Sequence, residues 1–198
     1  MKGSWFARVG PVLGLALFLQ ANAAAQGWEP FSFVGDERYE YLILGADQKE
    51  TSYVLDIRSE GEQNGEVQFR VSTTTSHLVS AGELGAETAF GVGFGSTLNM
   101  AIMNPMFMMF IGPVFADLDW DVGERVSLMG LGRMTITGLE TIAGREGYVL
   151  QFETGQGEDR ELAAEWVIDP ALAMPLRSRN YDRGELTIES VLVAYQRY

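Results

Sequence analysis

Period-two alternation, broken at short intervals by turn residues, restricts this chain more than any other feature. In ETSYVLDIRSE, Tyr53, Leu55 and Ile57 alternate with Val54, Asp56 and Arg58; in GEVQFRVST, Val67, Phe69 and Val71 alternate with Gln68 and Arg70. Successive side chains of a strand point to opposite faces, so the pattern predicts strands with one apolar face. It resumes after residue 122 in ERVSLMG, RMTITGLE, GYVLQFET, RELAAEWVID, MPLRSRNYD and GELTIESVLVAYQRY. The runs end in turn chemistry: Gln63-Asn64-Gly65, Gly144-Arg145-Glu146-Gly147, Gly155-Gln156-Gly157, Asp169-Pro170 and Asp182-Arg183-Gly184. One side is apolar (Tyr148, Leu150, Phe152; Leu162, Ala164, Trp166, Ile168) and the other mixed (Gln151, Glu153; Glu161, Glu165). A sheet apolar on one face must curl on itself or be covered. The expected fold is therefore mainly β: a curved antiparallel sheet of about nine strands, left unclosed as a half-barrel, with a short apolar helical plug or lid. No repeat or second domain is evident, so residues 26–198 are read as one domain with an insertion at about 88–116.

The N-terminus, MKGSWFARVGPVLGLALFLQANAAAQG, places Lys2 and Arg8 before an apolar run from Val9 to Leu19 and then a cluster of alanines. That order is the pattern of a secretory signal peptide over residues 1–25, cleaved after Ala23 or Ala25. The run has 11 residues, and a membrane span needs about 20. Export to the periplasm is the expected localisation. Cleavage would leave 12 basic against 27 acidic residues, a formal charge of −15. Such a surface repels nucleic acid and anionic headgroups. With no cysteine there is neither a disulfide nor a site for the lipid anchor of a lipoprotein.

From Thr88 to Ala116 there are 29 residues without a charge, and here the alternation fails. Gly91, Gly93 and Gly95 form a flexible entry that could serve as a hinge. Asn104-Pro105 has the form of a helix N-cap followed by proline at the first helical position, and Gly112-Pro113 that of a helix stop. Between them Pro105 to Ile111 predicts two helical turns, about 10 Å long and too short to cross a bilayer. A preceding turn over 97–103, capped by Ser96, fits the same pattern. Five methionines between Met100 and Met109, together with Phe107, Phe110 and Phe115, leave such a helix apolar on every side. Three readings stay open: enclosed core, a lid in contact with a ligand, and a membrane span or wedge over 97–116 used by an envelope assembly factor. Methionine-rich surfaces accommodate irregular ligands. The expected ligand-binding set is Met100, Met103, Met106, Phe107, Met109, Phe110, Phe115 and Trp166.

Other motifs carry less. Asp117, Asp119 and Asp121 fall on one side of an extended chain, the only candidate metal set, but the positions where a calcium loop needs Gly and Glu hold Val122 and Leu128. The stretch GVGFGS lacks the lysine and preceding strand of a phosphate loop. His77 is the single histidine and has no partner motif, so no catalytic residue is assigned, no enzymatic activity is expected and no cofactor is called for.

At DERYEYLI (36–43), IAGREGYVLQFE (142–153) and WVIDPALAMPLR (166–177) the chain resembles exported bacterial outer-membrane lipoprotein carriers of the LolA/LolB type. The turn Ala143-Gly144-Arg145 precedes a hydrophobic strand; a tryptophan-bearing strand, a proline turn and a strand opening Pro175-Leu176-Arg177 follow. The resemblance implies an unclosed antiparallel barrel that binds an acyl chain, lipid or lipoprotein without covalent chemistry. The expected partners are a lipid or acylated ligand and other envelope proteins. The chain departs from the carriers in lacking an arginine-led release site and in its more apolar Met/Phe segment.

Overall fold

The structure is a computed structural model, and it describes residues 27–45, 49–63, 66–77, 114–115, 118–128, 130–155, 157 and 159–198. Nine strands form: β1 (Glu37–Gly45), β2 (Glu50–Gln63), β3 (Glu66–His77), β4 (Arg125–Leu128), β5 (Gly132–Ile142), β6 (Arg145–Thr154), β7 (Glu161–Ile168), β8 (Arg177–Asp182) and β9 (Glu185–Arg197). They make one antiparallel sheet in the order β3-β2-β1-β9-β8-β7-β6-β5-β4, with β3 and β4 at its two ends among the described residues. The fold is mainly β and the sheet is curved and not closed into a barrel, in agreement with the expected half-barrel. Every neighbouring pair is consecutive in sequence except β1 and β9, which join the N-terminal three strands to the other six.

The curvature has a measurable consequence. β5 and β9 lie four places apart, about 19 Å on a flat sheet at about 4.8 Å per strand, yet their Cα atoms come within 8 Å. Register shifts that bend the strands occur at Glu40/Tyr41, Ser59/Gly61, Ile136/Gly138, Phe152/Glu153 and Asn180/Tyr181. At the β5–β6 end, the Arg145 guanidinium lies 5.3 Å from the centre of the Tyr195 ring in β9, across the mouth of the curl. The turn itself is Ala143-Gly144, both at positive φ (50° and 76°), a two-residue hairpin one step earlier than the expected Gly144–Gly147. Gly147 instead lies inside β6, where an added Cβ would come within 2.9 Å of the Val167 and Leu176 side chains.

Two expectations about faces need correction. The shift at Phe152/Glu153 pairs Ala164 with Phe152 but Leu162 with Glu153, so Leu162 leaves the apolar row that simple alternation assigns it. Val67, Phe69 and Val71, in phase for burial, are 55%, 43% and 61% exposed. β1 reaches only as far as Ile57 of β2, so the β2–β3 hairpin projects beyond it as a two-stranded arm that carries Val67 and Phe69, whereas Val71, opposite the buried Ile57, is exposed because β3 is the outermost of the described strands.

Candidate functional site

The inner face of the curl is built from cross-strand rows. One runs Thr51, Ile43, Ser190, Ser178, Trp166, Leu150, Ile136 from β2 to β5. A second runs Ile188, Asn180, Ala164, Phe152, Met134, Val126 from β9 to β4. On the other side of the first row, Tyr53, Tyr41 and Leu192 stand opposite one another. β-branched and aromatic residues dominate these rows because they fill a pleated surface well. Tyr39, Tyr41, Leu150, Trp166, Ile168 and Leu192 are all buried.

An aromatic chain closes one part of this face. Phe115 is fully buried, its ring 4.9 Å from Trp28 edge-on and 6.4 Å from Trp120 in a stack. Trp120 continues to Tyr148 of β6 at 5.3 Å. The Trp28 indole donates a 2.6 Å hydrogen bond to the Leu172 carbonyl, and the Phe31 amide donates to Ala173. The β7–β8 connection is thereby pinned over the same end, where the Tyr41 hydroxyl donates to the Pro175 carbonyl at 2.7 Å. Beside it, Glu37 is buried and accepts from the Tyr39 hydroxyl at 2.6 Å and from Arg197 Nη2 at 2.7 Å. Burial, and then the bond to Glu37, hold the Tyr39 hydroxyl well above the ordinary tyrosine range; burial does the same for Tyr41.

Polar groups interrupt the first row at one place. Ser178 and Ser190 stand directly opposite each other, both 0% exposed, and neither Oγ has a hydrogen-bond partner. Asn180 Nδ2, two residues along the same face, is also buried and unpartnered. A buried unpaired polar group costs about 1–3 kcal/mol. A serine nucleophile needs a base within hydrogen-bond reach, and neither hydroxyl has one. An open cleft of about 390 Å3, lined by Leu44, Gly45, Glu50, Leu186, Thr187, Ile188 and Glu189, borders this patch through Ile188, the cross-strand neighbour of Asn180.

The opposite face is charged yet also shielded at its centre. Glu165 of β7 is only 7% exposed. It accepts from Arg177 Nη2 at 2.9 Å, Arg179 Nη1 at 3.2 Å and Gln151 Nε2 at 3.0 Å. Arg177 reaches on to Glu140 at 2.5 Å, and Arg179 to Glu189 at 2.6 Å. The arginine that follows the proline turn is thus committed to structural pairs. A second ladder joins Arg38, Glu40, Asp56 and Arg58, and the Arg58 and Arg38 hydrogen bonds draw Asp56 below the ordinary carboxylate range.

Of the residues expected at the site, Trp166 and Phe115 are both buried within the core that the inner face forms. Met100, Met103, Met106, Phe107, Met109 and Phe110 lie outside the described residues, as does Asp117. The expected hinge glycines, Gly91, Gly93 and Gly95, also lie outside the described residues. Val114 and Phe115 have helical backbone. Asp119 and Asp121 are exposed and lie outside any strand, and the Asp121 amide donates to the Asp119 carbonyl, which bends the chain expected to be extended there. Among the described residues no group of three or more histidine or acidic side chains gathers to hold a metal, and no helix is long and apolar enough to cross a membrane. His77 ends β3 opposite Thr51. Sequence reading missed Ser178, Ser190 and Asn180; in SRN the only signal was small polar residues where the phase asked for apolar ones.

No family model matches the chain, and no curated protein matches it. A crystal structure of a protein from Bacteroides fragilis described as having a YmcC-like fold aligns with 87% of this chain and 100% of its own, at 14% identity and a TM-score of 0.37.

Proposed function

We infer that this is an exported periplasmic protein that binds an apolar ligand, an acyl chain or acylated molecule, on the inner face of its sheet, acting as a carrier or chaperone without covalent chemistry. The observation that carries this reading is the inner face itself. Two rows of mostly aromatic and aliphatic side chains run across seven and six strands of an unclosed sheet. A closed barrel or a flat sandwich would bury such rows permanently; a curl that is not closed into a barrel can part between its two end strands. Support for export comes from the leader-like residues 1–25 and the acidic, cysteine-free composition. The curved sheet also accords with the carrier resemblance.

Binding would be driven by burial of ligand methylenes at about 0.8 kcal/mol each. That gain is offset by whatever side-chain contacts the ligand displaces, so the affinity is a difference between two apolar packings. Native mass spectrometry of protein purified from the periplasm tests the reading. A co-purified mass of a few hundred daltons, released by organic solvent and identified as a lipid, is the expected result. A clean apo mass, together with no enhancement of N-phenyl-1-naphthylamine fluorescence, refutes it.

A further inference from the structure

We propose that Ser178, Ser190 and Asn180 form a polar anchor on the inner face that holds a neutral acyl carbonyl, an ester or amide, at the head of the apolar ligand. The inference rests on the binding reading above and names the ligand's chemistry.

Three observations carry it. The two serines are cross-strand partners in the middle of an otherwise apolar row, flanked by Ile43 on β1 and Trp166 on β7. Both are sealed from solvent, yet neither hydroxyl is bonded, and Asn180 Nδ2 beside them is equally unpartnered. Alanine or valine would fill these positions at no polar cost, so the hydroxyls are a liability to the empty fold that a ligand can remove.

The chemistry of the patch selects the ligand. Each of the three groups can donate a hydrogen bond, and an acyl carbonyl oxygen has two lone pairs, enough to receive the two serine hydroxyls, while the Asn180 amide can donate to the second oxygen of an ester. A free carboxylate would fit poorly. Arg177 and Arg179, the basic residues nearest in sequence, pair with Glu140, Glu165 and Glu189 on the opposite face, so a buried anion would lie on the inner face without a cation. An apolar tail would then lie along Trp166, Leu150 and Ile136.

The test uses the full chain and its Ser178→Ala/Ser190→Ala variant, with N-phenyl-1-naphthylamine as a probe that has no carbonyl. Competitors are 1-oleoylglycerol, an N-palmitoylated peptide and oleate. In the unaltered protein both carbonyl competitors should displace the probe, and oleate should be weaker than either. In the variant the probe should bind unchanged, while the better carbonyl competitor weakens about tenfold, as expected for the loss of two net hydrogen bonds. Thermal stability should stay equal or rise, since each substitution removes an unpaired hydroxyl. Stronger competition by the glyceride assigns the carbonyl to a lipid, and by the peptide to an acylated protein. Probe binding with unchanged carbonyl competition in the variant overturns the anchor and leaves the binding function standing. Failure of every probe to bind the unaltered protein removes the function itself. A variant that melts several degrees lower makes the serines structural and also overturns the anchor.

Discussion

The Tyr41 hydroxyl donates its hydrogen bond to the carbonyl of Pro175, 134 residues further along the chain. One phenol thus fastens β1 to the proline turn that leads into β8, across the end of the inner face. Tyr41→Phe keeps the ring and deletes the donor, leaving a buried carbonyl without its partner. The expected cost is about 1–3 kcal/mol, read as a lower urea midpoint at unchanged slope. A loss below about 0.5 kcal/mol would show that water reaches the Pro175 carbonyl.

Alkaline pH should act through the same tyrosine and its neighbour. Tyr39 and Tyr41 both have raised hydroxyl values, burial being the first cause in each. Below about pH 10 both folded and unfolded chains are protonated at these groups, and neither contributes a pH dependence. Above it the unfolded chain releases protons that the folded one retains. Stability therefore falls by about 1.4 kcal/mol per pH unit for each such tyrosine until the folded value is reached. Denaturation followed at pH 9, 10 and 11 should show the decline, and Tyr39→Phe should make it shallower.

Glu165 is the acceptor on which the charged face converges. Glu165→Ala would leave the mostly buried Arg177 with Glu140 as its remaining carboxylate and break the bonds to Arg179 and Gln151. The expected destabilisation is about 3–5 kcal/mol. Glu60→Ala, which removes the exposed pair with Arg70 in the projecting arm, should change stability by less than about 1 kcal/mol. Parallel urea titrations separate the two, and equal effects would mean that Glu165 is solvated in solution.

Phe115 lies at the centre of the aromatic chain from Trp28 through Trp120 to Tyr148. Phe115→Ala should cost about 3–5 kcal/mol and shift tryptophan emission to the red as both indoles lose their partner. A stable variant with unchanged emission would place Phe115 outside the core.

The strands were legible because side-chain phase alone predicts them: Tyr148, Leu150 and Phe152 fall on the apolar side both by alternation and by register. Bulges were not legible. Ala163 carries the extra residue that moves Leu162 to the other side, and no residue type there announces it. The exposure of Val67 and Phe69 depends on where β1 stops, which is a property of a different strand, and that of Val71 on β3 being outermost among the described strands. Glu165 read only as a member of the mixed face, because alternation reports a face and says nothing of what crosses it. Arg177 and Arg179 reach it only through the β7–β8 register. The serine pair had the same defect: Ser178 and Ser190 are 12 residues apart in sequence and meet only when β8 and β9 align.

The pairing of β1 with β9 has a kinetic meaning. Glu37 meets Arg197, and Leu44 meets Glu189, so this seam joins residues about 150 apart, whereas the other seven are between consecutive strands. Loop closure over such a distance is the slow step of a sheet assembled from hairpins. As the chain is made from its N-terminus, β1 to β3 must wait with one flank unmatched until β9 arrives. During that interval Tyr39 and Tyr41 face water, and the three-strand sheet is the species that a folding helper would have to shelter.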